Sequence, residues 1–370
     1  MRFSPVSFDI GIIGGGQLGR MMIEEAKKMN LTSIVLDPAP DCSCSYVADK
    51  TIVGKYDDLE KLIELGKSSK VLSYEFENVP GVTLEKLHNQ FTIPQGIQPL
   101  LDSQDRLREK DNANKHGLKT VAYYDCPDLE TLNRILEKLP YPVLYKTRTE
   151  GYDGHGQVKL KSKEDIEKVL PYFEKHIPGI IEQVCPFDYE CSLILIRDHK
   201  KTITFPIGRN IHKGGILDLS IVPWTMEKSI EERIQKAGIS FMESCGYYGI
   251  LAIEFFIKGN DFYFNEMAPR PHNSGHYTIE GCSINQFREL DKFLIGEDLE
   301  EPKLLGPTIM KNILGRDLKN FDKLIKIPNA HVHMYQKNQV RELRKLGHIT
   351  YTDLTYEQYQ EYVKKLAIED

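Results

Sequence analysis

Between Asp9 and Gln90, short apolar runs alternate with amphipathic stretches: Asp9–Ile13, Leu18–Met29, Ser33–Leu36, Leu59–Leu65, Val71–Tyr74 and Val82–Gln90. The order strand, helix, strand, helix, strand, helix predicts a parallel sheet covered by helices, because parallel neighbours need a crossover connection. Leu18, Met21, Met22, Ala26 and Met29 recur at helical spacing and define the face the first helix buries. Past Asp102 the pattern changes. A helix over Asp105–His116 leads into runs that pair locally: Pro142–Lys146, Gln157–Leu160, Ile180–Cys185, Glu190–Arg197 and Thr202–Ile207, with a crossover helix at Lys163–Glu174. A helix over Ser229–Ser244 precedes two strong strands, Ile250–Ile257 and Phe262–Glu266. From Glu301, after Pro302 and Pro307, a smaller strand-rich piece runs to a helical tail at Tyr356–Leu366.

At 370 residues the chain is too long for one small core, so two or three domains are expected. Hydrophobic residues at 41% and charged residues at 28% exclude disorder, collagen and coiled coil. With 48 Lys and Arg against 54 Asp and Glu the net charge is −6, which gives no basic footprint for nucleic acid. No apolar run approaches the ~18 residues of a membrane helix, and the start lacks the regions of a signal peptide, so no membrane partner and a cytoplasmic location are expected. The seven cysteines are scattered and nowhere spaced C-x-x-C, and read as reduced packing thiols. Cys42 and Cys44 lack the second ligand pair that a zinc site needs.

Four segments carry candidate chemistry. Gly14-x-Gly16-x-x-Gly19 follows a strand and opens a helix, with Asp37 ending the next strand. That context offers free N–H groups to a phosphate, or a dinucleotide with Asp37 on its ribose. The sheet does not continue as a dinucleotide fold requires, which favours a generic phosphate or substrate nest. Lys146 then precedes a glycine-rich tip, Gly151-Tyr152-Asp153-Gly154-His155-Gly156-Gln157, whose backbone can wrap phosphate oxygens and whose Tyr152, Asp153 and His155 can bind or move protons.

The third segment is GILAIEFFIKGNDFYFNEMAPR. If Gly259-Asn260-Asp261 form a three-residue hairpin loop, Phe256 faces Phe264 and Glu254 faces Glu266. Both carboxylates then share an apolar face with Ala252, Phe256 and Phe264. Opposed like charges there call for a bridging cation or a proton, and oxygen ligands suit Mg²⁺ on nucleotide phosphates. The fourth is Ala268-Pro-Arg270-Pro-His272-Asn273-Ser274-Gly275-His276, a donor-rich loop suited to an anionic substrate. His272 and His276 are four apart, but Gly275 and two prolines argue against a zinc helix. A basic turn, Arg341 to His348, matters only if it folds over the site.

With these residues in view the chain resembles the N5-carboxyaminoimidazole ribonucleotide synthetases, ATP-grasp carboxylases of purine biosynthesis. GGGQLGRM, DRLREK, GYDGHGQ, IEFF, NEMAPRPHNSGHY and RKLGHIT carry the resemblance in order across essentially the whole length. It implies an α/β and α+β ATP-grasp architecture: a Rossmann-like parallel-sheet domain over 1–103, an ATP-grasp domain over 104–300 with a lid at about 117–185, and a small C-terminal strand-rich domain over 301–370. It implies a cytoplasmic homodimer and an ATP-dependent ligase forming a C–N bond from ATP, bicarbonate and 5-aminoimidazole ribonucleotide. Nucleotide contacts would fall on Arg106, Lys146, the loop Gly151 to Gln157 (Tyr152, Asp153, Gly154, His155 and Gly156 between), the adenine-reading hinge Glu182-Gln183-Val184-Cys185, Glu190, His212, Asn265 and Glu266. Glu254 and Glu266 would hold Mg²⁺. The ribonucleotide would meet Tyr152, Asp153, Arg270, His272, Asn273 and Ser274, with Arg344 and Lys345 facing its phosphate. Asp153, Tyr152 and His155 would be catalytic, Asp153 orienting the amine or taking its proton.

Two positions depart from the pattern. Many relatives carry Arg or Lys at His155, so the loop's charge would vary with pH. Many ATP-grasp enzymes carry Asn at Ala268, where water would complete the coordination. Within the fold, a formate-dependent glycinamide ribonucleotide transformylase or a biotin carboxylase shares the carboxylate pair and glycine loop, and the loop Arg270–His276 argues against both. A nicotinamide dehydrogenase would use Gly14–Gly19 but leave Glu254 and Glu266 without a role. A nucleotide-sensing module without turnover fits the same motifs.

Overall fold

The computed structural model describes residues 7–149, 151 and 156–368. The first layer contains β1 (Phe8–Ile13), α1 (Gln17–Lys28), β2 (Ser33–Asp37), β3 (Lys50–Val53), α2 (Leu59–Ser68), β4 (Ser69–Tyr74), α3 (Gly81–His88) and α4 (Gln98–Ser103). Its sheet has the order β3-β2-β1-β4, with every pair parallel. The expected three strands are present, joined by β3, whose four residues carry too short an apolar signal to stand out. Leu18, Met21, Met22 and Ala26 are buried on α1 as their spacing requires.

Next come α5 (Arg106–Lys115), β5 (Tyr123–Cys126), α6 (Leu129–Leu136), β6 (Val143–Thr147), β7 (Gln157–Leu160), α7 (Leu170–Glu174) and β8 (Gly179–Gln183). These strands form a separate antiparallel sheet, β5-β8-β6-β7, within the expected lid. The helix expected over Lys163–Glu174 is instead a 3₁₀ turn, Lys163–Lys168, followed by α7. Pro171, near the start of α7, lacks the N–H that an unbroken helix would require.

The third part begins with β9 (Tyr189–Arg197), β10 (Thr202–Thr204), β11 (Gly208–Lys213), β12 (Ile216–Val222), α8 (Lys228–Ser244), β13 (Gly249–Lys258) and β14 (Asp261–Ala268). It closes with α9 (Thr278–Gly281), α10 (Gln286–Ile295), β15 (Thr308–Leu314), α11 (Phe321–Leu324), β16 (Ala330–Met334), β17 (Lys345–Thr352) and α12 (Tyr356–Lys365). One nine-stranded sheet runs β14-β13-β9-β11-β12-β15-β17-β16, with β10 also on β9. The strands after residue 301 therefore extend the central sheet, because β15 pairs with β12. Alternation along β13 sends Leu251, Ile253, Phe255 and Ile257 into a core with Ile230, Ile234, Phe241 and Met242 of α8. The opposite face, bearing Ala252, Glu254 and Phe256, lines a cleft.

Candidate active site

The cleft encloses about 660 Å³ between the first layer, the lid sheet and the central sheet. Its walls include Arg106, Lys146, Gly151, Gln157, Glu190, His212, Glu254, Asn265, Glu266, Arg270, His272, Asn273 and Lys345. Gly156 lies beside it on the turn into β7. Tyr152, Asp153, Gly154 and His155 lie outside the described residues. Glu182, Gln183, Val184, Cys185, Ser274 and Arg344 are not among the cleft walls. Ser274 instead hydrogen-bonds His272 Nδ1 at 2.7 Å, and Arg344 Nη1 donates to Gln339 O. Glu182 and Gln183 end β8 as strand residues, whereas a strand over Ile180–Cys185 was expected.

Glu254 lies directly opposite Glu266, by a route the sequence did not indicate. The hairpin loop holds two residues, Gly259 and Asn260, so that Lys258 pairs with Asp261 and Phe255 with Phe264. A β-bulge between Phe255 and Glu254 then restores the carboxylate register. Phe264 consequently points away from the carboxylates and packs against Phe241, with ring centroids 6.4 Å apart. Burial and the facing Glu266 raise Glu254 to about 7. For Glu266 burial acts upward too, but Arg106 and Lys146 outweigh it and hold the carboxylate well below the usual range.

Helix α5 fixes the bulge with one charged face. Its N-cap Asp105 accepts from Leu107 N–H at 2.9 Å and Arg108 N–H at 3.2 Å. Arg106 Nη1 donates to Glu266 Oε2 at 3.0 Å, Lys110 Nζ donates to Asn265 O at 3.1 Å, and Glu109 Oε1 accepts from Met267 N–H at 2.6 Å. Positions i, i+3 and i+4 of a helix thus grip three successive strand residues. Burial pushes Glu109 up to about 8. Behind this grip Glu182 joins two lysines, Lys110 Nζ at 2.7 Å and Lys146 Nζ at 2.6 Å. Burial opposes the Glu182 charge, yet the two ammoniums outweigh it and bring the carboxyl down to about 2.

Other cleft groups are held as firmly. Glu190 Oε2 meets His212 Nδ1 at 2.5 Å. Burial disfavours the imidazolium, but Glu190 and the carboxylates of Glu254 and Glu266 raise its pKa. Phe187 stacks on Phe256 with centroids 4.8 Å apart, forming a flat aromatic wall. Arg270 pairs with Glu77 of the first layer. Asn273 and Asn312 exchange reciprocal amide hydrogen bonds at 2.9 and 2.7 Å. Lys345, at the start of β17, brings the basic turn to the cleft.

The glycine-rich loop holds an internal carboxylate. Gly16 N–H and, at 2.7 Å, Gly19 N–H donate to Glu75. Gly15 N–H donates to Asp37 at 2.8 Å, and Asp37 also accepts from Tyr56 O–H. The donors expected to cradle a phosphate are satisfied within the chain, and Asp37, the ribose acceptor of the disfavoured dinucleotide alternative, is engaged by Gly15 and Tyr56. A Cβ on Gly16 would lie 2.5 Å from Glu75 Oε1, which explains the glycine.

Among the described residues no group of three or more His, Cys, Asp or Glu could hold a metal ion by itself. Glu254, Glu266 and the buried Asn265 Oδ1, which has no hydrogen-bond partner among them, still form a hard-oxygen set. Such a set fits Mg²⁺ when substrate phosphates and water complete the shell. No helix is long and apolar enough to cross a membrane, among the described residues. The sequence assigned no role to Glu75, Glu77, Glu109, Lys110, Phe187 or Asn312, although Glu109 and Lys110 stand in the DRLREK motif and Phe187 follows the Glu182–Cys185 segment.

Three family models match in succession: a ribonucleotide synthetase preATP-grasp domain over residues 8–100, an ATP-grasp domain over 111–287, and a phosphoribosylaminoimidazole carboxylase C-terminal domain over 308–362. An N5-carboxyaminoimidazole ribonucleotide synthase of Staphylococcus haemolyticus is 42% identical over 95% of this chain and 94% of that relative. A solved N5-carboxyaminoimidazole ribonucleotide synthetase in complex with ADP superposes with a TM-score of 0.93 at 37% identity, covering 99% of this chain and 98% of the other. The Aspergillus clavatus enzyme, solved with ADP and 5-aminoimidazole ribonucleotide, superposes with a TM-score of 0.90 at 27% identity, covering 98% of each chain.

Proposed function

The chain belongs to the N5-carboxyaminoimidazole ribonucleotide synthase family, and from that premise we propose how its residues carry the reaction. The protein is an ATP-dependent ligase of purine biosynthesis that carboxylates 5-aminoimidazole ribonucleotide with bicarbonate, releasing ADP and phosphate. One observation carries the assignment of roles: the opposed carboxylates, Lys146 and the Arg270–Asn273 loop converge on one cleft.

Arg106, Lys146, Gly156 and Gln157 meet the ATP phosphates, together with the loop Gly151–His155. Glu190, braced by His212, takes the ribose hydroxyls, and the backbone of Glu182–Cys185 reads the adenine. Glu254 and Glu266, with Asn265, hold Mg²⁺, which when bound neutralises phosphate charge. Arg270, His272, Asn273, Ser274, Arg344 and Lys345 receive or support the ribonucleotide. A bicarbonate oxygen attacks the γ-phosphorus and ADP leaves, giving carboxyphosphate. Its C–O bond then breaks, yielding phosphate and CO₂ in a site shielded from bulk water. The ribonucleotide's amine attacks the CO₂ carbon, and Asp153 orients that amine and accepts its proton. On the family resemblance we assign a cytoplasmic location and a homodimer, the latter tested by light scattering.

The decisive assay measures ADP release from Mg·ATP and bicarbonate, with and without 5-aminoimidazole ribonucleotide, beside a control with glycinamide ribonucleotide and formate. Stimulation by the aminoimidazole alone is expected. Stimulation by the control pair alone would overturn the substrate assignment.

A further inference from the structure

Lys110, Glu182 and Lys146 form a buried triad in which only Lys146 reaches the cleft. Their exposures are 1%, 1% and 4%. Each ammonium holds a different oxygen: Lys110 holds Oε1 at 2.7 Å and Lys146 holds Oε2 at 2.6 Å. Two positive charges on one carboxylate leave the group with a surplus of one. Lys110 is fixed from its other side by Asn265 O at 3.1 Å, so it cannot follow Lys146 toward a ligand.

We propose that Lys110 is a positioning residue whose charge occupies half of Glu182, keeping the Lys146 ammonium available to nucleotide phosphate. Without Lys110, both oxygens of Glu182 are left to Lys146, and the buried pair becomes neutral. A phosphate would then compete with an intact, desolvated ion pair, which is costly to separate. With Lys110 present the phosphate shares Lys146 with a carboxylate already compensated elsewhere. This inference rests on the reading that Lys146 faces the phosphates, and the test separates the two.

Calorimetric titration with ADP and with adenosine would be run on the wild type, Lys110→Met, Lys146→Met and the double variant Lys110→Met/Glu182→Gln. Lys110→Met is expected to weaken ADP roughly 30-fold and leave adenosine unchanged. The double variant restores the surplus charge with Lys146 alone and, although Glu182 belongs to the adenine-reading segment, is expected to bind ADP roughly tenfold tighter than Lys110→Met. Unchanged ADP affinity in Lys110→Met, or equal loss in the double variant, overturns the inference. Unchanged affinity in Lys146→Met overturns the reading beneath it. If Lys110→Met does not fold, the double variant decides: ADP affinity at least about tenfold above that of Lys146→Met supports the charge role, and loss matching Lys146→Met refutes it.

Discussion

Opposing the buried Glu254 carboxylate to Glu266, whose side chain is 39% exposed and paired with Arg106, couples metal binding to a proton. Burial and Glu266 lift Glu254 from 4.5 to about 7, so the pair takes up one proton near pH 7. The lift corresponds to about 3 kcal/mol against ionising Glu254, burial being the larger cause and the facing Glu266 the second, at about 1.36 kcal/mol per pKa unit. A dication between the two oxygens removes that penalty, but only after the proton has left. Apparent Mg²⁺ affinity in the ADP complex should therefore fall about tenfold for each pH unit below 7 and level off above about pH 8. Calorimetric Mg²⁺ titration of the ADP complex, in two buffers of different ionisation enthalpy, reads both affinity and proton release. The Glu254→Gln variant should bind Mg²⁺ weakly at every pH and lose the released proton, while protonation of the nucleotide itself is common to both proteins and cancels. Equal pH slopes in the two proteins would refute the reasoning.

Gly16→Ala would place a methyl 2.5 Å from Glu75 Oε1 and should cost roughly 1–3 kcal/mol in urea unfolding, with an unchanged midpoint counting against the close approach. Glu109 sits at about 8 in the folded chain and near 4.5 when unfolded, so the folded state keeps a proton that the unfolded state releases. Its contribution is fully present below about pH 4.5 and lost as pH rises through about 8. Glu109→Gln should accordingly flatten the fall in stability between those limits, whereas parallel denaturation profiles would contradict the assignment. Asp153→Asn is expected to lose turnover severely and keep ADP affinity; near-normal turnover would remove its proton-accepting role.

Strong local patterns made much of the fold legible: the apolar runs of β13 and β14 and the helical spacing of α1. β3 and β5, of four residues each, give few alternations to read, while β11 is largely polar and β12 is buried on both faces, so neither of these shows an alternation. The pairing of Glu254 with Glu266 was expected from a three-residue loop, yet arises from a two-residue loop plus a bulge. The two routes shift the register equally, so the sequence alone did not separate them. They differ in the face given to Phe264, where the expectation failed. The glycine spacing was visible, but its occupant, Glu75, lies 59 residues from Gly16 and has no local signature. Glu109 and Lys110 stand in the DRLREK motif without an assigned role, because their partners appear only when α5 meets β14 and β8. His212 entered through the family resemblance, since the pattern did not reveal β11.

Carboxylation driven by ATP through carboxyphosphate moves an oxygen from bicarbonate to phosphate, and bicarbonate labelled with heavy oxygen follows that transfer. With 5-aminoimidazole ribonucleotide and Mg·ATP present, one labelled oxygen should appear in each inorganic phosphate as N5-carboxyaminoimidazole ribonucleotide accumulates. Phosphate released without label, or ADP formed without that product, would contradict the account.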